Sequence, residues 1–147
     1  MSYFTYDTSV IIARKITTLP ASFLMSAVVL LELTGNAKDD SQRGLYERLF
    51  RQYRKDNLLI VPDADDWLLA SRVLFWLAQS RSRSLKGKLK RLPSGASQRM
   101  ALDVLIAVSA RRWRATVVTE NWNDFKAIQR YCNTKIARAS DFLGRKH

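Results

Sequence analysis

Four acidic side chains stand where a carboxylate is either costly or well aimed. Asp7 closes the aromatic and β-branched run YFTYD at 3–7, and Glu32 interrupts AVVLLEL at 27–33. Asp103 interrupts ALDVLIAVSA at 101–110, and Asp124 follows shortly after the apolar run ATVVT at 115–119. An ionised carboxylate withdrawn from water without partners costs several kcal/mol or more, so it finds a partner or shifts its pKa. Carboxylates crowded together raise one another's pKa unless something offsets their charge, and a hard divalent cation does so. Mg²⁺ and Mn²⁺ prefer carboxylate and water oxygens. Taken alone, Asp103 reads equally well as a helix-surface Asp whose neighbours face inward.

Other chemistries find few residues to use. His147 is the only histidine and Cys132 the only cysteine. A zinc site of His and Cys is thereby excluded, and nucleophilic catalysis by a Cys/His or Ser/His pair is poorly supplied. One thiol makes no internal disulfide, so the fold must rest on its core, in keeping with a reducing cytoplasm.

The elements that would position the four acids follow from apolar patterning. Residues 3–7 read as a short strand, with Thr8 and Ser9 able to cap a short apolar turn or helix through Val10, Ile11 and Ile12. After Pro20, Ser22 or Ser26 can open a helix to about Leu33, stopped by Gly35-Asn36. Asp39, Asp40 and Ser41 offer caps for a second helix, with Leu45, Leu49, Phe50 and Tyr53 at helical spacing. LLIVP at 58–62 reads as a buried parallel strand. Asp63, Asp65 and Asp66 then fall where a helix N-terminus favours negative charge, before the apolar face Trp67, Ala70, Leu74 and Leu77. A polar basic connection that can be partly helical spans about 80–95, ended by Pro93 and Gly95. A helix from about Ser97 to Trp113, a strand at 115–119, a loop and helix over 121–131 and a strand at 134–139 complete the chain.

Strands alternating with helices predict a three-layer α/β/α domain over 1–147, with a central, mainly parallel sheet of about four or five strands. In such sheets ligands sit at the carboxyl ends of the strands. Asp7, Asn121 and Asp124 fall there, and Glu32 and Asp103 sit on helices packed beside it. Four carboxylates can thus meet at one sheet edge.

Charge points to a class of partner. With 25 Lys and Arg against 13 Asp and Glu, the net charge is +12, and no acid occurs between Trp67 and Leu102. Arg72, Arg81, Arg83, Lys86, Lys88, Lys90, Arg91 and Arg99 all lie in that interval. A polyanion is the natural partner, nucleic acid before membrane. No apolar run reaches the roughly 18–20 residues of a membrane span. The start of the chain has no signal-peptide pattern, so a cytoplasmic location is expected.

YDTSVII at 6–12, AVVLLELTG at 27–35, LDVLIAVSARRWRATVVT at 102–119 and TENWNDF at 119–125 together resemble the ordered motifs of PIN-domain proteins. More narrowly they resemble the VapC-type toxin ribonucleases of bacterial toxin–antitoxin pairs, from Tyr3 to about Ile136. The resemblance implies that Asp7, Glu32, Asp103 and the more variable Asp124 hold one or two Mg²⁺ or Mn²⁺ ions. Thr8 and Ser9 match hydroxyl neighbours of the first carboxylate, Thr119 the hydroxyl at the strand end, and Asn121 the polar residue before the last acid. Glu120 is an alternative ligand whose side chain should point elsewhere. The long basic connection departs from the short polar loop usual in the family.

By the same resemblance, the activity is metal-dependent endoribonucleolytic hydrolysis, with tRNA or rRNA as substrate. It also implies a homodimer and a cognate antitoxin. Arg81, Arg83, Lys86, Lys88, Lys90 and Arg91 are candidate phosphate contacts. Two other readings compete: a catalytically silent basic nucleic-acid-binding module, and a metal-dependent DNA nuclease or phosphatase on a similar sheet.

Overall fold

The apolar runs become short parallel strands, and the acids fall at their ends. The computed structural model describes residues 2–14, 18–84 and 96–144. In chain order the elements are β1 (Phe4–Tyr6), α1 (Thr8–Arg14), β2 (Met25–Ser26), α2 (Ala27–Gly35), α3 (Asp40–Lys55) and β3 (Leu59–Ile60). These are followed by α4 (Ala64–Ser84), α5 (Ala96–Arg112), β4 (Thr116–Thr119), α6 (Trp122–Cys132), β5 (Ile136–Arg138) and α7 (Ala139–Leu143).

Strands β1, β4 and β5 form one sheet in the order β1-β4-β5, and β2 pairs with β3. All three pairings are parallel. A parallel bridge from Phe4 to Phe23 and a bond from Leu24 N–H to the Phe4 carbonyl (2.8 Å) join the two. Across the molecule the strands therefore read β3-β2-β1-β4-β5, matching the expected parallel α/β architecture. The register sets Tyr6 against Val118 and Thr119 against Arg138.

Helix α5 is the centre of the fold. Residues 104–110 are all buried, so this stretch of the helix is enclosed on every side while its two ends are polar and exposed. It packs on α4, α6, α2 and β4. Ser109, inside that run, satisfies its hydroxyl by donating to the Leu105 carbonyl at 2.6 Å. Thr134 donates to the Ala107 carbonyl (2.9 Å), tying the approach to β5 onto α5. On the other side, Phe4, Tyr6, Phe23 and Phe142 form an aromatic cluster with tilted and edge-on contacts.

Helix ends follow their local chemistry. Ser26 caps α2 by accepting from Val29 N–H (3.4 Å), and Asp39 caps α3 by accepting from Gln42 N–H (2.8 Å). Asn133 ends α6 in the left-handed region, φ 55°, with its N–H on the Gln129 carbonyl.

Helix α4 continues to Ser84, so the basic connection is helical at its start, as its reading allowed, and Arg81 and Arg83 belong to α4. Three expectations need correction. The stretch before α2 contributes the two-residue strand β2, which a run leading directly into a helix cap conceals. Trp67 is exposed, and the inward face of α4 centres on Ala70 and Val73 instead. Leu45 of α3 is likewise exposed, while Leu49, Phe50 and Tyr53 pack against the core.

Candidate metal centre

Asp7 is placed by the sheet itself. Its N–H donates to the Val118 carbonyl at 3.1 Å, which fixes it just past the end of β1 beside β4. The side chain is 1% exposed and fully engaged. Oδ1 accepts from Ser9 Oγ (2.6 Å) and from Val10 N–H (3.2 Å), so Asp7 also caps α1. Oδ2 accepts from Thr119 Oγ1 at 2.7 Å. Thr119 in turn accepts from Asn121 N–H (2.8 Å), and Ser9 Oγ accepts from Glu120 N–H (3.3 Å). A mesh of hydroxyls thus pins one carboxylate between β1, α1 and β4.

Ser9 and Thr119 both donate to Asp7, whereas Thr8, matched in sequence to the same carboxylate, turns to Glu32 instead. Thr8 Oγ1 donates to Glu32 Oε1 at 2.8 Å, which anchors the half-buried acid of α2 to α1. Asn121 contributes through its backbone; its side chain makes no capping bond.

Asp103 sits two turns into α5, half-buried at the point where the enclosed run begins. Among the described residues it accepts no hydrogen bond. Burial first, and then the charges of Asp7, Glu32 and Asp124, push its pKa up to about 8, against a small opposing effect of Arg99. Burial also raises Asp7, opposed by its hydrogen bonds to Ser9, Thr119 and Val10. Glu32 is raised by burial too, and further by Asp7. Three separate helices and one strand end therefore bring four carboxylates into one electrostatic neighbourhood. Asp124, exposed in the first turn of α6, is its outermost member.

Glu120 is matched by a cation: Arg14 at the end of α1 pairs with it at 2.7 Å, and its charge still adds to the upward push on Asp7. Asp63 and Asp66 lie elsewhere, engaged in capping α4: Asp66 N–H donates to Asp63 Oδ1 (2.8 Å) and Asp63 N–H to Asp66 Oδ2 (3.0 Å). Of the candidate phosphate contacts, Arg81 is exposed on α4, and Arg83 follows on the same helix. Lys86, Lys88, Lys90 and Arg91 lie outside the described residues. Two cations not anticipated from sequence, Arg14 and Arg138, flank the site through contacts between distant segments.

The donor set suits a hard cation. It offers only carboxylate oxygens, with hydroxyls holding two of the acids in place, while Asp103 and Asp124 accept no hydrogen bond among the described residues. Among the described residues no three His, Cys, Asp or Glu side chains are already close enough to clasp one ion. The carboxylates share an edge without a closed shell.

No protein-family model matches the chain, nor does any curated protein sequence. Solved structures do. The chain is similar to one in the DNA-bound VapBC structure from Salmonella typhimurium, at 17% identity and TM-score 0.54, over 94% of this chain and 98% of that one. It is similar also to a chain of the FitAB structure bound to the IR36 DNA fragment, at 16% identity and TM-score 0.54, over 92% and 94% of the two chains. The PIN-like α/β/α fold expected from the motifs is the fold observed.

Proposed function

We propose that this chain is a VapC-type toxin, a metal-dependent endoribonuclease. One observation carries the reading: four carboxylates at the strand-end edge of a parallel sheet, with Asp103 raised to about 8 by burial and by the other three. A purely structural acid gains nothing from such a position, whereas a cation ligand does. Asp7, Glu32, Asp103 and Asp124 would hold Mg²⁺ or Mn²⁺. When bound, the ion would offset the carboxylate charge, lower the pKa of water at the site and stabilise charge on the leaving oxygen.

The chain's own residues do the positioning. Ser9, Val10 N–H and Thr119 hold both oxygens of Asp7, so this ligand needs no reorganisation when a cation arrives. Thr8 holds one oxygen of Glu32 by its hydroxyl. The net charge of +12 favours a phosphate polyanion and steers it to an edge that is itself acidic. The shared fold with the VapBC and FitAB structures supports a cognate antitoxin as partner. A homodimer, and tRNA or rRNA as target, belong to the same reading.

The test is cleavage of a pooled tRNA and rRNA substrate with Mg²⁺ or Mn²⁺, against EDTA and against Asp7→Asn. Metal-dependent cutting lost in the variant supports the nuclease. Binding without cutting under either metal supports the silent nucleic-acid-binding module. Cutting confined to a parallel DNA substrate supports the DNA nuclease.

A further inference from the structure

Next to the carboxylates lies a group that their chemistry does not use. Trp122 opens α6, and two cations converge on its ring from different elements. The Arg138 guanidinium is 4.7 Å from the ring centroid and the Lys126 ammonium 5.6 Å. Lys126 comes from the next turn of α6. Arg138 comes from β5, where it is the register partner of Thr119, the residue whose hydroxyl holds Asp7. Trp122 is also two residues before Asp124. The aromatic group and its cations therefore share the strand-end edge with the acids, two strands over from Asp7.

Among the described residues neither Arg138 nor Lys126 forms an ion pair, and both are exposed. Two unmatched positive charges on one aromatic ring, beside an acidic cluster, give flat stacking surface and phosphate attraction in one place. An indole or a guanidinium plane accepts any base face, and the cations meet the strand's backbone. Local positive charge also offsets the repulsion that an acidic centre exerts on a polyanion.

We infer that Trp122, Arg138 and Lys126 form a docking platform for one nucleotide of a single strand, stacking its base and contacting its phosphate beside the carboxylates. This rests on the nuclease reading above, but it is a binding site and is tested without catalysis. Fluorescence anisotropy in EDTA with short labelled oligouridylate and oligothymidylate, and with an abasic strand of equal length, reads it directly. Trp122→Leu keeps apolar packing and should weaken binding of the base-bearing strands by about 5- to 30-fold. It should leave the abasic strand nearly unchanged, while Trp122→Phe should recover much of the loss. Arg138→Ala should lower the slope of log K against log salt by about 0.7, one phosphate contact on a single strand.

Equal losses on the two base-bearing strands assign the platform to base and phosphate alone. A loss confined to oligouridylate assigns it to RNA. No binding by the wild type, unchanged binding in Trp122→Leu, or an equal loss on the abasic strand overturns it. Cleavage with unchanged Trp122→Leu binding removes the platform and leaves the nuclease. Binding that follows the expected pattern without cleavage removes the nuclease and leaves the platform.

Discussion

Two acidic clusters in this chain differ in how their charge is met. At the start of α4, Asp63 and Asp66 accept each other's backbone N–H, and Arg112 reaches both, at 3.3 and 3.0 Å. Arg112 also donates to the Val61 carbonyl (2.8 Å), so this cluster ties the end of α5 to the chain after β3. At the sheet edge, Asp7, Glu32, Asp103 and Asp124 repel one another, and the one nearby cation acting on Asp103, Arg99, offsets them least. The first cluster is a fastening, complete as it stands. The second holds charge in need of a counterion. Residue type does not separate them; the company each acid keeps does.

Substitutions that exchange the consequences of these clusters test the comparison most severely. Loss of a metal's outer partners typically costs 10–100-fold, so Asp7→Asn or Asp103→Asn should reduce RNA cleavage by more than about 100-fold. Asp66→Ala should leave specific activity near wild type, read at a temperature where the variant is folded. Its effect belongs to stability. Losing a capping partner and the Arg112 contact should cost about 2 kcal/mol in urea unfolding, trimmed by the half-exposure of Arg112.

The pH dependence sharpens the contrast. Asp103 is raised from 3.8 to about 8 on folding. The folded chain therefore binds more protons than the unfolded chain between those values, and its stability falls as pH rises through that window. In EDTA, the Tm of the wild type should drop by several degrees between about pH 5 and about pH 8. Asp103→Asn should flatten that decline and stand above wild type at the alkaline end.

Thr119→Val removes the hydroxyl that holds Asp7 Oδ2 while keeping the shape. About 1 kcal/mol of stability and roughly 10-fold of activity should go with it. The smallest effect belongs to Glu47, which pairs with Arg43 and Arg51 on the surface of α3. Glu47→Ala should leave both the urea midpoint and cleavage near wild type, because solvent screens exposed pairs of this kind.

The same contrast explains what could be read from the residues alone. Runs such as ATVVT and LLIVP announce buried strands, and a carboxylate inside ALDVLIAVSA announces itself because burial makes it costly. Asp63 and Asp66 read as helix-start acids from sequence alone, since capping is local and leaves its mark within three residues. What escaped was non-local. Arg112 reaches Asp66 across 46 positions and Arg14 reaches Glu120 across 106, with no pattern linking either pair in sequence. Arg138 meets Trp122 only because β5 joins β4 in one particular register. Strand β2 escaped for a different reason: two residues carry no alternation to detect.

The most direct measurement is Mn²⁺ titration by calorimetry near pH 7, in buffers of different ionisation enthalpy, for wild type, Asp103→Asn and Asp66→Asn. A cluster in which Asp103 is raised to about 8 should bind Mn²⁺ and release about one proton. That proton should vanish in Asp103→Asn, with weakened binding, and persist in Asp66→Asn. No Mn²⁺ binding by the wild type, or binding and proton release indifferent to Asp103→Asn, would contradict the claim that these four acids form one cation site.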